Sequence, residues 1–198
     1  MRSKGYFNLA CLLTAVACAP LPQPQPATPA TAPSVATPSA SPTPPAAPSP
    51  APANSITANI EARSGSTATG TVTLTEAKPG LHVVILVSGI APGKHGLHFH
   101  ENGDCSAPDA TSAKGHFNPA HHDHGLPTAA ARHLGDLGNI EVGVDGHGRL
   151  EVDLADASLT AGAENSLHGK AVILHAQVDD GSQPAGNAGA RIGCAVIP

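Results

Sequence analysis

From residue 55 onward the apolar residues recur at every second position, with no convincing helical period anywhere. Ile56-Thr57-Ala58-Asn59-Ile60 and Thr71-Val72-Thr73-Leu74-Thr75 alternate apolar with polar, the pattern of a strand with one wet face and one buried face. Leu81-His82-Val83-Val84-Ile85-Leu86-Val87 is a more continuously apolar strand, and Gly169-Lys170-Ala171-Val172-Ile173-Leu174-His175 reads as a central apolar strand ending in a histidine. Residues 139–144 and 150–154 flank Asp145-Gly146-His147-Gly148, a hairpin signature. Lys78-Pro79-Gly80 and Ala91-Pro92-Gly93 are turns. With residues 93–100 and 191–197 this makes eight short strands, and the expectation is an all-β antiparallel sandwich or flattened barrel. Two runs lack any strand period: residues 102–139, and the Gly-rich residues 179–189. Long runs of that kind inside a compact domain mark functional loops.

The chain before this domain reads differently. Residues 1–18 carry Arg2 and Lys4, then a short apolar run ending at Cys18, the layout of an export signal and too short to span a bilayer. Ala15-Val16-Ala17-Cys18 resembles a bacterial lipobox, with Ala15 where Leu is usual, so Cys18 is the expected lipidation site. An ordinary secretory signal cleaved nearby is the alternative. Residues 19–54 are almost entirely Pro, Ala, Ser and Thr, with no charged residue. Such a segment cannot bury a core and favours extended polyproline II, reaching up to about 100 Å at ~3.1 Å per residue. It reads as a flexible tether between a membrane anchor and the domain at residues 55–198. A periplasmic or cell-envelope location follows.

Composition then narrows the function. Arg2 and Lys4 take two of the ten Lys+Arg, so the domain holds eight against all fifteen Asp+Glu, a formal charge of −7. That argues against a nucleic-acid partner, which would want a basic face. No segment after the signal is apolar enough to be transmembrane. Tyr6 and Phe7 lie in the leader and there is no Trp, so Phe99 and Phe117 are the domain's aromatics, and Val, Ile, Leu and Ala must build its core. Two of the four cysteines belong to the leader region, leaving Cys105 and Cys194, and an even pair in an exported protein reads as a disulfide.

Histidine is the residue in excess. His98 and His100 sit two apart, so on a strand both imidazoles point to one face. The long loop adds His116, His121, His122, His124 and His133, with Asp136 three residues on, and His175 ends a central strand. A domain this poor in aromatics has no packing reason for such clustering. Imidazole suits copper and zinc, and three imidazoles with one carboxylate make an acceptable tetrahedral zinc set.

His95-Gly96-Leu97-His98-Phe99-His100, Gly115-His116-Phe117-Asn118-Pro119, His124-Gly125, His133-Leu134-Gly135-Asp136-Leu137-Gly138-Asn139 and Gly186-Asn187-Ala188-Gly189-Ala190-Arg191-Ile192-Gly193-Cys194 together resemble the copper/zinc superoxide dismutase family. The resemblance covers the whole domain and looks closest to a periplasmic, lipoprotein-type bacterial member. It implies a Greek-key sandwich or flattened barrel with two long functional loops. It also implies one copper on His98, His100, His116 and His175, and one zinc on His116, His124, His133 and Asp136. His116 would then bridge the metals as an imidazolate. The implied activity converts superoxide to dioxygen and hydrogen peroxide by Cu(II)/Cu(I) cycling, with zinc structural and tuning, and protects the envelope from oxidative damage. Arg191 would dock the anion, and His116 would be catalytic beside it. Asp179 would join His98 to His124 from behind, with Asp180 adjacent. The bridge Cys105–Cys194 would pin the ligand-bearing loop to the strand of Arg191. His95 would hydrogen-bond backbone near His175.

Several positions depart from the family pattern. Residues 179–191 are short and lack the acid and lysine cluster that steers substrate in eukaryotic members, and Ala185 stands where those have threonine. With a net negative domain, local focusing must overcome long-range repulsion of an anion; Lys94 and Lys114 are the candidates. His121 and His122 have no role in the family pattern. The rival reading is a non-catalytic relative that carries or buffers metal. Monomer and homodimer both remain open.

Overall fold

The computed structural model describes residues 55–198, so the signal, Cys18 and the tether lie outside the described residues. Eight strands form one closed antiparallel barrel: β1 (Ser55–Ala62), β2 (Thr69–Glu76), β3 (Leu81–Ser88), β4 (Gly93–His100), β5 (Asp136–Val142), β6 (His147–Leu154), β7 (Ala171–His175) and β8 (Arg191–Val196). Their order around the barrel is β1-β2-β3-β6-β5-β4-β7-β8. β4, β5 and β6 follow one another as neighbours, and β7 returns by a long connection to lie beside β4, a Greek key. The described residues contain no α-helix, only a 3-10 turn at Thr111–Ala113.

Where the sequence alternates, burial alternates. In β2, Val72 and Leu74 point into the barrel. β3 is continuously apolar in sequence yet alternates in burial too: Leu81, Val83, Ile85 and Val87 meet them inside, while Leu86 is left exposed on the outer face. β4 and β7 behave differently: from His95 onward β4 is buried throughout, and so is all of β7. Both faces of these neighbouring strands are covered. Leu97, Phe99, Val172 and Leu174 face the barrel core. On the outer face, Ala171, Ile173 and Cys194 form a second apolar cluster with Ala110 and Ala113 of the long loop. His98 and His100 share that outer face, because residues one apart on a strand point to opposite sides. The loop therefore lies as a second layer over β4, β7 and β8.

Two features fasten that layer. Cys105 and Cys194, the pair expected from the sequence, are bonded across 89 residues; closing a loop of that length stabilises by roughly 4–5 kcal/mol on the chain-entropy argument. The second is a closed triangle of backbone hydrogen bonds. Phe117 N–H donates to Phe99 O (2.8 Å), Phe99 N–H to Gly135 O (2.9 Å), and Gly135 N–H to Phe117 O (2.9 Å). The triangle draws β4, the long loop and the start of β5 to one point. It needs glycine at position 135, where an added Cβ would lie 2.3 Å from Phe99 O.

β5 begins three residues earlier than the hairpin signature implied. Asp136, Leu137 and Gly138 are all buried and so show no alternation, yet Asp136 pairs with His98 across the β4 ladder, past an irregularity between Gly96 and His98.

Gly135→Ala is expected to cost about 1–3 kcal/mol, the usual range for forcing a methyl into a filled space, and to lower zinc retention. Denaturant midpoints and metal analysis check both. A substitution without effect on either would mean the triangle does not set the loop.

Candidate metal centre

Two groups of ligand-type side chains converge over the outer face of β4: His98, His100, His116 and His175, and His116, His124, His133 and Asp136. Every one of these residues is buried, the most exposed at 8%. His98 and His100 come from β4, and His175 from the end of the adjacent β7. His116 is placed by a one-residue bridge to His100, immediately before the Phe117 corner of the triangle. His133 and Asp136 flank the Gly135 corner. His116 belongs to both groups.

In the first group each strand histidine uses one ring nitrogen outward and leaves the other empty. His98 Nε2–H donates to Asp179 Oδ2 (2.8 Å), His100 Nδ1–H to the Lys114 carbonyl (2.9 Å), and His175 Nδ1–H to the Gly189 carbonyl (3.2 Å). Those partners fix the tautomers. The remaining nitrogens, His98 Nδ1, His100 Nε2 and His175 Nε2, are buried without a hydrogen-bond partner. Three inward lone pairs, each backed by an outward N–H bond, are the arrangement of metal-ligating imidazoles. Burial pushes all three rings below the ordinary histidine range, His100 to about 2 and His175 to about 3. They are neutral at pH 7 and present no proton that a metal ion must displace.

In the second group Asp136 Oδ1 lies 2.9 Å from His116 Nδ1, 3.1 Å from His124 Nδ1 and 3.2 Å from His133 Nδ1. His133 Nδ1 lies 3.4 Å from His116 Nδ1. A tetrahedral zinc ion with bonds of about 2.0–2.1 Å separates its ligand atoms by roughly 3.3 Å, so the set has zinc dimensions. His124 Nδ1 makes no hydrogen bond although it is buried, as an atom reserved for a metal would be. The other carboxylate oxygen is occupied, accepting from Gly125 N–H (3.0 Å) and His133 N–H (3.1 Å). Burial alone would raise the Asp136 carboxyl; the bonds from His116 and Gly125 outweigh it and hold it below its usual range.

Asp179 links the two groups from behind. Its Oδ1 accepts from His124 Nε2–H (3.0 Å) while Oδ2 accepts from His98. Burial opposes its charge, but those two bonds and the Gly181 N–H hold its pKa well below the carboxylate range. Asp180 is instead exposed and caps Ser182 N–H. Gly186, at φ +76°, passes so close that a Cβ would overlap Asp179 Oδ1. His100, His116, His175 and Arg191 line a cavity of about 610 Å³. The Arg191 guanidinium donates to Ala110 O (2.8 Å) and Lys114 O (2.7 Å) at its rim. His95 Nδ1 lies 3.0 Å from the His175 carbonyl.

Other histidines stay apart from both groups. His121 and His122 are exposed. Their turn is shaped by Asn118, whose side chain donates to His122 O and accepts from His122 N–H. His82 pairs with Asp153 on the barrel surface. Lys94 is opposite Glu141 in the β4–β5 ladder, four residues before His98 and six before His100, or about 13 and 20 Å along the strand, beyond the roughly 8 Å over which salt leaves a surface charge unscreened. Sequence reasoning missed two amide clamps. Asn139 pairs in both directions with the Asp179 backbone, at 2.7 and 2.9 Å, and Gln183 does so with the His124 backbone, at 3.1 and 2.8 Å. Asn139 stands within a family-like motif that hinted at it; Gln183 left no signal.

Comparison with known proteins agrees with this geometry. The sequence profile of "Copper/zinc superoxide dismutase (SODC)" matches residues 68–197. Superoxide dismutase [Cu-Zn] 2 of Mesembryanthemum crystallinum is 41% identical over 123 residues, spanning 59% of this chain and 77% of that protein. Among solved structures, a SOD-like protein from Bacillus subtilis is similar with a TM-score of 0.65 and 36% identity, over 72% of this chain and 97% of that one. The clock protein EA4 is similar with a TM-score of 0.65 and 36% identity, over 73% and 93% of the two chains. The chain belongs to the copper/zinc superoxide dismutase family, a family of oxidoreductases whose metals are copper and zinc.

The lowered pKa values set the pH response of the metal-free protein. The imidazoles of His98, His100, His133 and His175 stay neutral when folded, whereas an unfolded chain takes up protons near pH 6.5. Stability is therefore full above about pH 6.5 and is lost as pH falls below it. Asp136 and Asp179, held low when folded, extend the loss below about pH 4. Denaturant midpoints at pH 7.5, 5.5 and 4 should fall in that order, and equal midpoints would contradict the burial argument.

Proposed function

We propose that this chain is a superoxide dismutase of the cell envelope, with copper held by His98, His100, His116 and His175 and zinc by His116, His124, His133 and Asp136. The observation that carries the reading is His116. Its Nδ1 faces the carboxylate-containing group, and its ring also belongs to the group of unpartnered imidazoles. One imidazole facing two cation sites can lose both ring protons, which only two flanking positive charges make favourable.

Copper in the four-histidine group supplies one-electron chemistry, while zinc in the other holds a fixed charge and does not change redox state. The remaining work falls to the protein. Arg191 offers a guanidinium at the rim of the cavity whose floor is the copper group, where a small anion can dock by charge and hydrogen bonding. Lys114 precedes Gly115 of the cavity lining, and its carbonyl accepts from both Arg191 and His100; its ammonium would add local positive charge against the acidic domain. His116 Nε2 is the place to hold a proton between half-reactions. Asp179 keeps His98 and His124 in one orientation throughout. Overall, two superoxide ions and two protons give dioxygen and hydrogen peroxide.

The leader, Cys18 and the Pro/Ala-rich segment support a periplasmic protein of the lipoprotein type, tethered to a membrane and protecting the envelope. Cys18→Ser should then move the protein from the membrane to the soluble periplasmic fraction; unchanged fractionation would remove the anchor. For the chemistry, the loaded protein should carry one copper and one zinc per chain and dismute superoxide rapidly. Arg191→Ala should lower the rate by about tenfold or more, the worth of one charge-assisted hydrogen bond, and weaken its salt dependence with metal content intact. Full metal content without dismutation above background would favour a metal carrier instead.

A further inference from the structure

β8 outruns its neighbour. Its ladder with β1 ends at the pair Ala62 and Gly193, so Arg191 and Ile192, the first two residues of β8, have no strand residue of β1 opposite them. On the other side the ladder with β7 slips between Leu174 and His175 before it reaches Arg191. A strand end held this way frays unless other donors replace the missing ladder bonds.

The turn between β1 and β2 supplies them. Arg63 N–H donates to Ile192 O (2.9 Å), the Ser66 hydroxyl donates to the same carbonyl (2.5 Å), and the Ser64 hydroxyl donates to Arg191 O (2.9 Å). The same turn grips the loop that frames the Arg191 side chain. Ser64 N–H donates to Pro108 O (2.8 Å) and Arg63 Nε–H to Cys105 O (2.9 Å). Two residues beyond Pro108 is Ala110, whose carbonyl accepts Nη1 of Arg191. One turn thus holds both the backbone of Arg191 and the frame around its guanidinium. Ser64 does this at φ +52°, in the left-handed region where glycine would sit without strain.

We propose that Ser64 and Ser66 are positioning residues for small-anion docking, acting through Arg191 from the far side of β8. They bond no residue of either metal group. The proposal rests on the reading that Arg191 docks the substrate anion. It predicts that loosening the first two residues of β8 weakens anion binding without disturbing metals, disulfide or fold.

Ser64→Gly removes a hydroxyl while suiting the local φ, so it separates positioning from folding. Its bond is solvent-exposed and water can replace it in part, so it is combined with Ser66→Ala, whose bond is half-buried. The full chain, loaded with copper and zinc, is titrated with sodium azide and followed by copper absorption. The expected result is azide binding weakened about three- to tenfold and a parallel fall in dismutation rate, with metal content and disulfide unchanged. Ser66→Thr in place of Ser66→Ala should restore part of the loss. In an Arg191→Ala background the same two substitutions should cause no further loss, because the residue they act through is gone. Unchanged azide affinity in the double variant overturns the proposal, and so does an equal loss in the Arg191→Ala background. If Arg191→Ala alone leaves azide binding and rate unchanged, the docking reading fails first and takes the proposal with it.

Discussion

Three backbone hydrogen bonds, running from Phe117 to Phe99, Phe99 to Gly135 and Gly135 to Phe117, decide where this protein can hold a metal. Each corner of the triangle stands beside ligands: Phe99 between His98 and His100, Phe117 after His116, Gly135 between His133 and Asp136. Three segments far apart in sequence are thereby brought to one point by backbone alone. The two phenylalanine side chains turn away into the barrel core. Period-two alternation then leaves the neighbouring histidines on the opposite face. The same geometry that builds the core aims the ligands outward under the loop.

Around that point each ligand is held from outside. The outward ring N–H groups go to Asp179, to the carbonyls of Lys114 and Gly189, and Asp179 is itself clamped by Asn139. The Lys114 carbonyl serves two purposes at once, since it accepts from His100 and from Arg191. A ligand of the copper group and the anion-docking cation therefore share one acceptor. With the disulfide and the β1–β2 turn bracing the same loop, the site depends on a rigid outer layer as much as on the barrel beneath it.

How far the sequence foretold this depended on what each residue faces. β1 and β2 were legible because one face is wet and one dry, whereas the continuous apolar run of β3 hid the fact that Leu86 faces outward. The start of β5 was not legible, because Asp136, Leu137 and Gly138 are buried together and show no alternation. The histidines stood out by number and spacing, and their joint spacing with Arg191 and Cys194 pointed to the family. Which nitrogen of each ring faces inward was not readable, since backbone carbonyls at Lys114 and Gly189 decide it and a carbonyl has no signature in sequence. Lys94 looked as suitable as Lys114 until the β4 register placed it opposite Glu141, four residues before the nearest ligand, His98. The clamps of Gln183 and the β1–β2 turn depend on contacts across more than fifty residues, which local patterns do not report.

The central claim is that His116 belongs to both metal groups at once. Loading copper into the four-histidine group and cobalt(II) into the group with Asp136 tests it by electron paramagnetic resonance. An imidazolate shared by the two ions couples their spins, so the Cu(II) signal seen with zinc in the second group should be lost or strongly broadened with cobalt there. A copper spectrum identical in the two loadings would show that His116 does not bridge, and would contradict the account.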